Sequence, residues 1–199
     1  MLAHGYSSAA AQVAAKADSR MDNLLNAAAG IPYAHYLTTS KYQNRVNPQH
    51  GERGDHQSRE MAQAAASQFI STKIDDAVER ALQGDIRSAL IDIGQASHTA
   101  QDIVRHEFET GGQHPVGEAT AMQAEKEAAE YATGNILSAF EGQVSWRGMA
   151  RGLTGLQINV IMNSIKDPLT IQLTPMMASV PAIRIMMMQN SRGGFMICN

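Results

Sequence analysis

The chain reads as an all-α protein, a multi-helix domain over residues 1–140 followed by an irregular tail over 141–199. Three observations predict it. Through most of the first 140 residues, apolar side chains recur at the spacing that lines one face of an α-helix. Glycine and proline cluster between those stretches, where they act as breaks. Aromatic residues, which strands favour, make up only 5% of the chain, and alanine is abundant.

Each predicted element has its own grounds. Residues 6–29 place Tyr6, Ala10, Val13, Ala17, Met21, Leu24 and Ala28 on one stripe, and Gly30-Ile31-Pro32 stops it. Residues 33–56 are polar and carry Pro48, Gly51 and Gly54, so they read as a long loop, a kind of segment that usually serves function. From Ser58 to Gln83 the helical pattern returns through Met61, Ala65, Phe69 or Ile70, Ile74, Val78 and Ala81. Gly84-Asp85 breaks it, and Asp85 is suited to cap the next helix because its carboxylate can accept from free backbone N–H groups. That helix runs to about Phe108 with Ile86, Leu90, Ile93, Ser97, Ala100 and Val104 as its inner stripe. After the Gly111-Gly112 turn, a helix from about Glu118 to Phe140 passes through Met122, Ala129, Ala132 and Ile136. No internal repeat is evident.

The tail differs in character. From residue 142 onward Asp167 is the only acid, and eight of the twelve methionines lie between 149 and 199. Leu169 to Leu173 alternates as a strand would, and Pro168, Pro175 and Pro181 argue against long helices. Trp146, the only tryptophan, reads as the cap of a core.

Composition excludes several classes. At 199 residues the chain is long enough for one well-packed domain, with or without an appendage. A net charge of −3 gives no electrostatic reason to expect a nucleic-acid backbone as main partner. The single cysteine, Cys198, permits no internal disulfide and no cysteine-rich zinc module, and nothing around it would activate the thiol. Ser58 and Ser97 lack the surroundings of a nucleophile elbow. No apolar run is long enough to span a membrane and no signal peptide is visible, so the expected location is cytoplasmic, or that of a domain within an exported effector.

The chemistry concentrates between residues 98 and 118, in His98-x3-Asp102-x3-His106 followed by His114-x3-Glu118. A spacing of four stacks His98, Asp102 and His106 along one helix face. Imidazole nitrogen and carboxylate oxygen together suit divalent ions such as zinc. A solvated face holding two histidines is the competing reading. Against it, Ile91 and Ile103 bracket the polar face, and Gly94, Ala96 and Ser97 are small enough for neighbouring helices to approach. Buried imidazoles and carboxylates without a partner would be costly, and a metal removes that cost.

The order His-x3-Asp, a further His, then His-x3-Glu resembles the zinc-dependent phospholipase C family, whose superfamily includes the S1/P1-type single-strand nucleases. The stretch Gly94-Gln95-Ala96-Ser97-His98-Thr99-Ala100-Gln101-Asp102 is similar to that family's Gly-x-Ala-x-His-x-x-x-Asp helix. The resemblance spans roughly residues 4–140 and is specific mainly over 98–118. It implies a phospholipase C-like helical fold, two or three zinc ions and phosphodiester hydrolysis. On that resemblance His98 binds the first zinc, Asp102 bridges two, and His106, His114 and Glu118 hold another. His4 stands where the family has an early histidine. Asp22 is preferred to Asp55 as the upstream aspartate, and His56 to His35 and His50 as the upstream histidine. The chain departs from the family in its shorter spacings after Asp102 and in beginning with Met1 where secreted members use a tryptophan as ligand.

The expected function is therefore a zinc-dependent phosphodiesterase in which Asp102 sets the metal spacing and a free carboxylate, Asp55 or Glu107, orients the water. The expected substrate is a phospholipid, with peripheral membrane contact, since the Met-rich tail suits apolar contact. A nuclease is disfavoured because no basic, aromatic-lined groove is evident. Two further readings stand beside it: a non-catalytic helical interaction protein with a His-rich face, and a purely structural metal.

Overall fold

The computed structural model describes residues 1–29, 50, 51, 53, 57–106, 108 and 123–168, with the side chains of 22–29, 105, 106 and 123–125 excepted. Among these residues the architecture is all-α. A 3-10 turn (Leu2–His4) precedes α1 (Ser8–Ala29), α2 (Arg59–Leu82), α3 (Ile86–His106), α4 (Gln123–Ala150) and α5 (Gly155–Lys166).

Local chemistry sets the helix starts. The Ser58 hydroxyl accepts from the Met61 N–H to open α2. The expected Asp85 cap is present, its carboxylate accepting from the Ser88 N–H at 3.2 Å. Gly84, at φ +83°, supplies the left-handed turn that folds α3 back along α2. A reciprocal capping box between Thr154 and Gln157 begins α5.

The central element is α3, which packs against α1, α2, α4 and α5. Its inner face buries Leu90, Ile93 and Ala96 against Val78, Leu137 and Phe140. The inner stripe stops at the partly buried Ala100; Val104, expected on it, is exposed. Where α1 crosses α3, a Cβ on Gly94 would collide with the backbone of Ala14, so this crossing requires glycine. The expectation that small residues on α3 admit a neighbouring helix holds there.

Two expectations about the C-terminal part need correction. The boundary at residue 140 falls inside α4, which continues to Ala150, and α5 is a regular helix within the expected irregular tail. Val144, Ile161 and Ile165 belong to the same core as Phe140, so residues up to 166 complete the bundle. The prolines that argued against helix all lie at or beyond 168, after α5 has ended. Trp146 points outward from α4 and is exposed, since Val144 and Gly148 occupy the buried side. The alternating stretch at 169–173 lies outside the described residues, as does most of the expected loop at 33–56.

Polar ties fasten the ends of the bundle. Lys73 and Arg80 of α2 both reach Asp92 of α3, which is buried. The Ser7 N–H donates to the Lys166 carbonyl, while Tyr6 and Lys166 both bond Glu141. Arg147 pairs with Asp75, and Arg151 with Glu79, joining the end of α4 to α2.

Candidate metal centre

Two helices and residues 50, 51 and 53 between α1 and α2 build the site. α3 contributes His98 and Asp102, one turn apart, as the sequence spacing requires. α1 contributes Asp18. The connection before α2 contributes His50, held by an unusual clip. Gly51 lies at φ +60° against α3, where an added Cβ would come within 2.5 Å of the Ile103 nitrogen. The Gly51 carbonyl accepts from the Phe108 N–H, and Arg53 Nε donates to the Phe108 carbonyl. Phe108 itself is buried against Ala62, Ala66 and Ile103.

Three donor atoms converge as a result. His50 Nδ1 lies 3.0 Å from Asp102 Oδ2, His98 Nε2 lies 3.1 Å from the same oxygen, and the two nitrogens are 3.1 Å apart. His50 and His98 are buried, and Asp102 is mostly covered. The sequence expectation that this face of α3 is covered is thus met.

The outer partner of His98 settles how its protons lie. His98 Nδ1 is 2.8 Å from Asp18 Oδ1, and a carboxylate can only accept, so Nδ1 carries the hydrogen. In the neutral ring Nε2 then presents a lone pair. That lone pair faces a carboxylate oxygen and a second imidazole nitrogen at contact distance. Such a group calls for positive charge at its centre, from an added proton or from a cation. When added protons supply that charge, burial acts to raise the Asp102 carboxyl, but hydrogen bonds from the protonated His50 and His98 rings, and their charge, outweigh it. They hold the carboxyl well below the ordinary carboxylate range.

The donor set fits zinc. Around a tetrahedral ion with bonds of about 2.0–2.1 Å, neighbouring donor atoms are roughly 3.3 Å apart, close to the spacing found. The bond from His98 Nδ1 to Asp18 is the carboxylate–histidine arrangement that orients metal-binding imidazoles and makes them more basic.

The sequence-derived candidates fall into three groups. His98 and Asp102 converge as expected. Among the described residues, His50, ranked behind His56, is the upstream histidine that reaches them, and Asp18, one turn before the preferred Asp22, is the upstream aspartate that bonds His98. No periodic signal singles out either residue: the Gly51–Phe108 clip places His50, and the crossing of α1 over α3 at Gly94 places Asp18. His4 stands elsewhere: its ring packs on Gly134 of α4, where a Cβ would meet its Cε1 at 2.8 Å. Asp22 and His106 lie on described helices, but their side chains are outside the described residues, and so are Asp55, His56, Glu107, His114 and Glu118.

No protein-family model matches the chain, and no curated protein or solved structure matches it. The class is therefore defined by the fold and the site alone: an all-α protein carrying a buried histidine–carboxylate group with metal-binding geometry.

Proposed function

We propose that this protein is a zinc-dependent phosphodiester hydrolase, phospholipase C-like, acting on phospholipid. The observation that carries the reading is the convergence of His50 Nδ1, His98 Nε2 and Asp102 Oδ2 within 3.1 Å of one another, backed by Asp18. His50, His98 and Asp102 would hold the ion, with Asp18 fixing the His98 ring. Bound zinc supplies Lewis acidity, which acidifies water and withdraws charge from a phosphoryl oxygen. The chain's own part is to present one anionic and two neutral donors on a rigid frame and to keep Asp102 ionised. Because the His98 proton is committed to Asp18, the ring nitrogen facing the group stays available as a ligand. Phospholipid is preferred to a nucleic-acid strand because the net charge of −3 offers no attraction to a polyanion.

The test is metal content and hydrolysis together. Purified protein should bind zinc and cleave phosphatidylcholine vesicles, losing activity to a chelator and recovering it with zinc. Asp102→Asn should lower hydrolysis by at least about a hundredfold while circular dichroism shows unchanged helix content. Full activity in that variant would refute the assignment. Cleavage of single-stranded DNA in place of lipid would move the reading to the nuclease branch.

A further inference from the structure

A second feature adjoins the metal centre without belonging to it. Between α1, α3 and α4, roofed by residues 1–4, lies a cavity of about 540 Å³, well within the range of small-molecule sites. Small residues from all three helices line it: Ala11, Ala14 and Ala15 from α1, Gly94 from α3, and Ala129 from α4. The alanines leave space that larger side chains would fill, Gly94 lets α1 approach closely, and the surface they offer is apolar.

The polar side chains among the lining differ in how they are occupied. Ser97 is 5% exposed, and its buried hydroxyl has no hydrogen-bond partner among the described residues. A helical serine usually returns its hydroxyl to a backbone carbonyl of the preceding turn, so an unused one on a cavity wall is a group awaiting a ligand. Gln101 is occupied differently, its amide donating to the Thr133 hydroxyl at 2.8 Å. Asp18 is the charged group at the inner wall, and its Oδ1 accepts from His98. Lys126 and Glu130, one turn apart on α4 and both exposed, bring opposite charges to the lining. At the roof Met1 and His4 also line the cavity, the His4 ring packing on Gly134 of α4. On the helical walls beside Ser97 the charged group is the carboxylate of Asp18, with lone pairs beyond the one that His98 uses.

We infer that this cavity binds a small organic ammonium with an apolar body, and that Asp18 couples its occupancy to the His50–His98–Asp102 group. The ammonium donates to Asp18 and to the Ser97 oxygen while the apolar body lies along the alanines. The coupling half rests on the metal-centre reading above; the binding half does not. A cation on Asp18 takes up charge that otherwise makes His98 a better ligand. Ammonium and zinc therefore oppose each other, reciprocally.

Calorimetry on the metal-free full chain tests this with three probes: n-octylammonium, n-octanol and octanoate. Octylammonium should saturate one site, octanol should bind about tenfold more weakly, and octanoate should not bind. Asp18→Asn should remove the advantage of ammonium over octanol. Ala129→Phe, which fills the cavity, should abolish binding of both, with circular dichroism checking its fold. Ser97→Ala should raise the melting temperature of the free protein yet weaken octylammonium binding. Absence of octylammonium binding, equal binding of octanoate, or binding that survives in a folded Ala129→Phe variant would overturn the site. Zinc titrated in saturating octylammonium should bind about tenfold more weakly; an unchanged zinc affinity would overturn the coupling. Because the first measurements use no metal and no hydrolysis, their failure is distinguishable from failure of the phosphodiesterase reading.

Discussion

His50 owes its position to the residue beside it. Gly51 combines a positive φ, which L side chains rarely adopt, with backbone contact against Asp102 and Ile103. Both constraints act at once, so even the smallest side chain must push the connection off α3 and carry His50 with it. Gly51→Ala should weaken zinc binding by about 10–100-fold, the range seen when groups that orient a ligand are lost. Competition with a fluorescent chelator would measure this, and an unaltered affinity would show that the clip does not place His50.

The helix pair α2–α3 carries a different kind of polar contact. Asp92 is 2% exposed and lies against Lys73 at 3.3 Å and Arg80 at 3.1 Å. Burial raises its carboxyl despite both cations, so desolvation outweighs the attraction they return. The two cations keep access to water, Lys73 being 23% and Arg80 41% exposed, so neither is stranded if the charge is removed. Asp92→Asn keeps the shape and one of the two acceptor oxygens, and with both cations able to turn to water it should change unfolding stability by no more than about 1 kcal/mol. Urea unfolding would show it. A far larger loss would mean that the charge itself holds the two helices together. Apolar contacts such as those of Phe140 and Leu137 carry the packing of this pair against α4.

Stability of the protein as a unit should depend on acid through Asp102. Its carboxyl is held below the ordinary range in the folded chain and returns to about 4 when unfolded. The unfolded state therefore binds the proton first. The contribution of Asp102 is complete above pH about 4 and is lost as pH falls below that toward the depressed folded value. Urea denaturation of chelator-treated protein between pH about 6 and pH about 3 should show this loss, with a shallower slope in Asp102→Asn. Equal slopes would mean that Asp102 is not held ionised by its two histidines.

The parts legible from residue order are those that depend on near neighbours. The period of Leu90, Ile93 and Ala96 predicted the inner face of α3, and Gly84-Asp85 predicted a turn and cap where both occur. The spacing of His98 and Asp102 predicted two ligands on one helix face, because a helix fixes that geometry within a single turn. Proline content misled the reading of 141–166, where a capping box and an apolar face made α5 before any proline intervened. His50 and Asp18 could not be chosen in advance. Each reaches His98 across 48 and 80 positions of chain, through a helix crossing at Gly94 and a loop contact at Gly51 that leave no periodic trace. Helical order is a property of adjacent peptide units and can be read along the chain. The meeting of three donor atoms depends on how separate segments pack, and that is settled only when the bundle closes.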